Sequence, residues 1–95
     1  SRQKLKTLKP HKEYGEVSNG GYLLTKREGA TVTLLASGSE VMLALQSACF
    51  LESDFDIKCN IVSVPCFDLL CEQDQEYIDK IIDPNTTKIA IEASR

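Results

Sequence analysis

Segments with apolar residues at alternate positions and segments with apolar residues at helical spacing follow one another along this chain. Residues 22–25 and 31–36 are β-rich runs joined by a charged turn, and they predict two strands. The period then changes, which predicts an amphipathic helix over residues 40–52. Its buried face is predicted from the apolar residues Val41, Ala44, Leu45, Ala48 and Leu51.

The second half of the chain continues the alternation of strands and helices. Residues 57–64 are rich in β-branched side chains and stop at Pro65, which predicts a third strand. Residues 66–82 contain apolar positions that fit two helical pieces. Residues 87–93 alternate apolar with smaller or charged side chains, so they predict a half-buried fourth strand.

Capping residues mark where these helices begin and end. Ser39 is predicted as the N-cap of the first helix, with Glu40 in a first turn that favours negative charge. Asp74 can cap the last helix, and Lys80 lies near its negative C-terminal end.

The order of elements predicts an α/β fold, a small mostly parallel sheet flanked by helices. Connections through helices make strands parallel, so residues 31–36, 57–64 and 87–93 should be mutually parallel. Residues 22–25 precede residue 31 too closely for such a crossover, and their strand is expected to be antiparallel or irregular.

Composition and charge narrow the functional class. Ninety-five residues with 42% hydrophobic side chains suit one ordinary globular domain, and no apolar run is long enough to span a membrane, so we expect a cytoplasmic protein. Residues 1–12 carry five basic side chains and no acid, while the remainder is acidic and brings the net charge to −3. The basic arm lacks aromatic residues, and the acidic remainder would repel phosphate backbones, so nucleic-acid binding is not expected.

The four cysteines could form two disulfides or a zinc site. No pair has C-x₂-C spacing, and the only histidine, His11, is distant in sequence. Cys49 and Cys59 fall on apolar helical and strand faces, where a free cysteine packs as a small hydrophobe. We therefore predict reduced, structural thiols.

Few side chains form a recognisable catalytic pattern. The turn at residues 37–39 joins a strand to a helix N-terminus and could hold a phosphate, but it lacks a dinucleotide or P-loop signature, which favours a plain turn with a cap. His11 has no partner residue placed to work with it. The acids of residues 66–82 are interpreted as a solvated helix face: Asp68, Glu72, Asp74, Glu76 and Asp79.

Several short segments, taken in order, resemble the transketolase family. The segment Ser1-Arg2-Gln3 with Leu5 resembles the S-R-Q-x-L that closes the pyrimidine-binding domain in that family. Residues 20–24 (GGYLL) are similar to its G-G-Y-x-L, and residues 31–41 (TVTLLASGSEV) to its D-V-T-L-I-A-T-G-S-E-V. Three later segments resemble its V-S-M-P, Q-D-x-x-Y and V-A-I-E-A: residues 62–65, Gln73-Asp74 with Tyr77, and residues 89–93.

The departures from the family pattern are mild. Ser37 replaces a threonine, Val64 replaces a methionine, and Cys66-Phe67 stands where the family often has Ser-Thr. Deoxyxylulose phosphate synthases and the β subunits of 2-oxo acid dehydrogenases share the outline of this domain, but the S-R-Q and Q-D-x-x-Y segments favour transketolase. The alternative from a different functional class is a free-standing α/β binding or interaction module that has no catalytic activity.

The resemblance implies a division of the chain into two parts. Residues 1–18 are expected to be the end of a preceding domain and its linker, and residues 19–95 the C-terminal α/β domain. The family's final strand and terminal helix lie beyond Arg95, and the chain opens on Ser1 without a methionine, so we expect an incomplete domain from a longer protein.

The resemblance also implies a function for that longer protein. It would be a homodimeric transferase that uses thiamine diphosphate and a divalent metal, Mg or Ca, to move a two-carbon ketol unit from a ketose phosphate to an aldose phosphate. In the family these groups are held by the preceding domains, so no catalytic, cofactor or metal residue is expected here, and the chain alone should be inactive. Arg2 matches the arginine of the family's S-R-Q and is expected to bind the terminal phosphate of the sugar.

Overall fold

A computed structural model describes residues 15–92, where five strands form one mixed sheet in the order β1-β2-β4-β3-β5. The strands are β1 (Gly15–Glu16), β2 (Gly21–Thr25), β3 (Val32–Ala36), β4 (Cys59–Ser63) and β5 (Thr87–Ile91). Three helices connect them: α1 (Val41–Phe55), α2 (Phe67–Cys71) and α3 (Gln75–Ile81). The predicted α/β fold is confirmed. No helix within residues 15–92 has the length and apolar character to cross a bilayer.

The pairing of the strands confirms the predicted directions. β3 is parallel to β4 on one side and to β5 on the other, with Val32 opposite Cys59 and Thr87. β2 runs antiparallel to β4, with an irregular register between Leu23 and Thr25. The short loop between β2 and β3 cannot carry a crossover, and this accounts for the antiparallel direction of β2 relative to β3 and β4. β1 in turn runs antiparallel to β2 at the edge of the sheet.

Helix α1 covers one face of the sheet with the side predicted from the sequence. Ala44 is fully buried, and the other predicted positions, Val41, Leu45, Ala48 and Leu51, pack against a core formed by Leu34, Ala36, Ala44, Cys59 and Ile61. The placement of Cys49 on this apolar face was wrong, because its side chain is exposed. Its neighbours on the outer side of the helix include the half-exposed Phe50 and Phe55, whose rings meet edge to face.

Helices α2 and α3 cover the opposite face of the sheet. The core here consists of Leu23, Val62, Val64, Leu70 and Ile81. The predicted cap of α3 is confirmed, since Asp74 Oδ1 accepts the Tyr77 backbone N–H at 3.0 Å, and Lys80 lies in the last turn. The carboxylate thus satisfies one of the N–H groups that every helix start leaves without a partner.

The predicted cap of α1 was wrong. Gly38–Glu40 form a 3₁₀ turn, so α1 begins at Val41 and its N-cap position falls on Glu40. The Ser39 hydroxyl donates to Glu40 Oε1 at 3.0 Å instead of accepting a backbone N–H. A local side-chain bond has therefore replaced the cap that the sequence suggested.

Two other sequence interpretations change at the edges of the sheet. Residues 1–18, predicted as the end of a preceding domain and its linker, contain β1, which pairs Gly15 with Tyr22 and Glu16 with Gly21. The sequence did not predict β1, because a two-residue strand is too short to leave a periodic pattern. The predicted half-buried pattern of residues 87–91 is absent, since every residue of β5 except Ile91 is exposed. β5 lies at the edge of the sheet while α1 contacts β3 and β4, so the apolar side chain of Ile89 stays 42% exposed.

Candidate functional site

The turn between β3 and α1 is the place where the sequence suggested a phosphate could bind. The Glu40 carboxylate accepts hydrogen bonds from the hydroxyls of both Ser37 and Ser39. A carboxylate of the chain therefore already supplies the negative charge that a helix start attracts. The turn is a plain connection, as the sequence favoured, although no side chain caps the backbone N–H groups at the start of α1.

The other candidate residues do not converge on one site. Arg2 and His11 lie outside the described residues. All five acids named in residues 66–82 are exposed, as a solvated face requires, and one of them, Asp74, also caps α3. Within residues 15–92 no three His, Cys, Asp or Glu side chains are grouped closely enough to hold a metal ion.

Sequence reasoning missed a buried polar layer at the amino-terminal edge of the parallel strands. Thr86 Oγ1 donates to the Asp83 carbonyl oxygen at 2.6 Å, and this uses its single proton. Thr33 Oγ1 lies 2.6 Å from Thr86 Oγ1 and must then be the donor of that bond. Both threonines are at least nine-tenths buried, so this chain of hydrogen bonds ties the start of β5 to β3 inside the protein.

Asn60 extends this polar layer towards the surface. Its side chain is 5% exposed, and Oδ1 accepts the Arg27 backbone N–H at 2.8 Å, just beyond the end of β2. Beside it lies an open cleft of about 520 Å³, called here the amino-edge cleft. Its lining consists of Lys26, Arg27, Glu28, Gly29, Ala30, Asn60 and Asp83. The signal in the sequence was a polar Asn60 and a polar Thr33 at inward positions of otherwise apolar strands.

An ion pair fixes the side chain of Arg27 beside this cleft. Its guanidinium donates two hydrogen bonds to the carboxylate of Glu52 on α1, at 2.5 and 3.0 Å. The hydrogen bond and the charge of Glu52 raise the pKa of Arg27, and the same bonding lowers the pKa of Glu52. The positive charge of Arg27 is thus neutralised at the surface.

Tyr77 from α3 holds the start of the sheet in place. Its hydroxyl accepts the Glu16 N–H at 2.9 Å and donates to the Gly21 carbonyl oxygen at 2.7 Å. Gly15 has a φ of 93° and lies directly under that hydroxyl, where an added Cβ would collide with it. One side chain therefore fastens both β1 and β2 to α3.

Tyr77→Phe is expected to lower the free energy of unfolding by about 1–2 kcal/mol, because two backbone groups lose a hydrogen-bond partner. Urea denaturation followed by circular dichroism measures this loss. Tyr22→Phe is the matched control, since the Tyr22 hydroxyl has no hydrogen-bond partner within residues 15–92 and its removal should change stability by less than about 0.5 kcal/mol. Equal losses in the two variants would contradict the role given to Tyr77.

The four cysteines are free thiols, and only Cys59 is buried. Burial is the largest influence on Cys59 and raises the pKa of its thiol, so it stays protonated at neutral pH. Cys59 is therefore a packing residue of β4, as the sequence suggested.

Residues 20–95 match a family model described as the transketolase-like C-terminal domain. Over 94 residues the chain is 37% identical to the transketolase of Mycoplasma pneumoniae, and the aligned region covers 99% of this chain and 14% of that protein. It is also 37% identical over 99 aligned positions to the transketolase of Aquifex aeolicus, again spanning 14% of that protein. The chain thus spans about one seventh of the length of these curated relatives.

Solved structures show the same similarity in three dimensions. The crystal structure of the transketolase from Campylobacter jejuni superposes with a TM-score of 0.68 at 40% identity, covering 96% of this chain and 17% of that one. A transketolase structure from Pichia stipitis in complex with xylulose-5-phosphate gives a TM-score of 0.75 at 30% identity, covering 83% of this chain and 12% of that one.

Proposed function

The chain belongs to the transketolase family as a C-terminal domain, and from this we propose that the whole protein transfers a two-carbon ketol unit between sugar phosphates. The single observation that supports the proposal is the family match over residues 20–95. The donor would be a ketose phosphate, the acceptor an aldose phosphate, and the active form a homodimer in the cytoplasm.

The residues of this domain do not fit the cofactor, so we place thiamine diphosphate and its divalent metal on the preceding domains. Residues 15–92 offer no grouping of three metal-ligating side chains. At the start of α1, the longest helix of residues 15–92, the Glu40 carboxylate already places a negative charge, which disfavours a diphosphate there. We therefore assign no step of the reaction to the residues of the described domain.

An assay of the full-length protein tests the proposed activity. With thiamine diphosphate and Mg²⁺ present, it should convert a ketose phosphate and an aldose phosphate into the products of two-carbon transfer. The 95-residue chain, titrated calorimetrically with the same cofactor and metal, should show no saturable binding. Activity in the full-length protein together with cofactor binding by the chain alone would leave the function standing and overturn this placement of the cofactor.

Arg2 is the residue that we propose touches substrate. A guanidinium presents a planar fork of donors that can grip phosphate oxygens in pairs, and it stays charged at every working pH. By holding the terminal phosphate, Arg2 would fix a long substrate so that its carbonyl reaches the reacting centre. Its match to the arginine of the family's S-R-Q supports this assignment.

Arg2→Ala in the full-length protein is expected to weaken the handling of phosphorylated acceptors by about 1.5–3 kcal/mol, the range for hydrogen bonds to charged groups. Acceptors without a phosphate should be converted as before, and cofactor binding should be unchanged. Steady-state kinetics with both kinds of acceptor provides the measurement. Lys4→Ala is the matched control, because Lys4 carries the same charge in the same basic arm without the flanking Ser and Gln. Equal losses for both acceptor types would make Arg2 structural, and no loss would make it a linker charge.

A further inference from the structure

We propose that the amino-edge cleft is a binding site for a neutral polyhydroxyl compound, such as a free sugar or polyol. The cleft lies at the edge opposite to the carboxyl ends of the parallel strands, since all its lining residues precede β3 and β5 or stand at the start of β4. Ligands of open α/β sheets usually bind at the carboxyl ends. The proposed site is therefore separate from the turn at residues 37–40.

An unused donor in the floor of the cleft carries the proposal. Asn60 is 95% buried, and its Oδ1 is fixed by the Arg27 N–H, which orients the amide and leaves Nδ2 without a partner in residues 15–92. No fully enclosed side-chain nitrogen or oxygen of the described residues lacks a partner, so Nδ2 is not fully enclosed, and we infer that it faces the cleft that Asn60 lines. A buried amide with one half satisfied and the other half facing a cavity is a preformed donor for a ligand.

The other charges of the cleft identify the ligand class. Arg27 is neutralised by Glu52, so the charges that remain are one cation, Lys26, and two carboxylates, Glu28 and Asp83. This balance is slightly negative and disfavours phosphates and other anions. A metal ion would face the positive end of the Asn60 amide, and an apolar ligand would leave these polar groups without partners.

A sugar or polyol matches this arrangement of donors and acceptors. Each hydroxyl both donates and accepts, so the hydroxyls of one ligand can accept from Asn60 Nδ2 and donate to the Asp83 carboxylate. The Asp83 Oδ1 already accepts the Asn85 N–H at 2.9 Å, which holds the carboxylate in a fixed position and leaves acceptor capacity free. A volume of about 520 Å³ is ample for a monosaccharide with its bridging waters.

Titration of the ¹⁵N-labelled 95-residue chain with D-ribose, followed by NMR, tests the proposal. Saturable shifts should appear at the Asn60 side-chain amide and at the backbone of residues 26–30 and 83. The phosphate ester of ribose is the second probe, and it should bind at these residues more weakly than ribose. Binding of the phosphate ester in preference to ribose would overturn the assignment in favour of an anion site, and the absence of saturable shifts with ribose would also overturn it.

Two variants test whether the affinity for ribose depends on the site itself and not on general effects on folding. Asn60→Asp keeps an acceptor for the Arg27 N–H and removes the Nδ2 donor, so the affinity for ribose should fall about tenfold or more. Asp83→Asn keeps an acceptor for the Asn85 N–H, leaves the buried layer intact and should weaken binding several-fold. Glu72→Gln, on an exposed residue outside the cleft, is the control and should bind as the unmodified chain. If Asn60→Asp does not fold, the Asp83→Asn result decides, and unchanged affinity there would contradict the proposal.

Discussion

Gly20→Ala is expected to lower the free energy of unfolding by about 2–5 kcal/mol, which is a large part of the stability of a domain of this size. Gly20 has a φ of 93°, a conformation that residues with a Cβ adopt only at a cost. An added Cβ would collide with the Leu70 nitrogen and lie 2.7 Å from the Cys66 carbonyl oxygen. These are backbone atoms of α2 and of its N-cap residue, and they cannot move aside as a flexible side chain could.

A hydrogen bond makes this contact difficult to relax. Cys66 donates its backbone N–H to the Gly20 carbonyl oxygen at 3.1 Å, and Leu70 donates to the Cys66 carbonyl oxygen at 3.0 Å. Moving Gly20 away from α2 would break the first of these bonds and separate β2 from the helix that covers it. The strain therefore falls on the contact between β2 and α2.

Substitutions of two other glycines show how much of the expected loss comes from the collision and how much comes from the backbone conformation. Gly29 has a φ of 83° with no atom within 4 Å of an added Cβ, so Gly29→Ala should cost only the strain of that conformation, about 1–2 kcal/mol. Gly38 has neither a positive φ nor a neighbour, and Gly38→Ala should be close to neutral. Urea midpoints of the three variants give the comparison. A Gly20 variant no less stable than the Gly29 variant would show that α2 yields without cost.

The sequence was sufficient for the elements with strong periodicity. The helical spacing from Val41 to Leu51 predicted which side of α1 is buried, because a 15-residue helix shows its apolar stripe several times over. The directions of β3, β4 and β5 followed from the helices that connect them. Local signals of this kind do not depend on the rest of the fold.

Features that depend on contacts between distant residues could not be predicted. Residues 18–21 are small and turn-prone in the sequence, but the contact of Gly20 with α2 joins residues 50 positions apart. The amino-edge cleft likewise requires Asn60, Asp83 and residues 26–30 to meet, and no spacing in the sequence indicates this. The cap of α1 was missed for a local reason, since the Glu40 side chain competed for the hydroxyl of Ser39.

Leu34→Ala is the second substitution with a large expected effect, a loss of about 2–5 kcal/mol in the free energy of unfolding. Leu34 is 1% exposed in the middle of β3 and packs in the core under α1 with Ile61 and Ala44. Truncation removes apolar contacts and leaves a cavity, because β3 is paired on both sides and neither it nor α1 can collapse fully into the space. Urea denaturation of the 95-residue chain measures the loss.

The matched control lies directly opposite on the neighbouring strand. Ile89 of β5 is in register with Leu34, so both side chains project from the same face of the sheet, but Ile89 is 42% exposed. Ile89→Ala should therefore cost about 1 kcal/mol or less, mainly through its lower preference for a strand. A loss as large as that of Leu34→Ala would mean that the face of β5 is covered in solution. If the two losses differ as expected, burial by α1 determines how much each side chain of this row contributes to the free energy of unfolding.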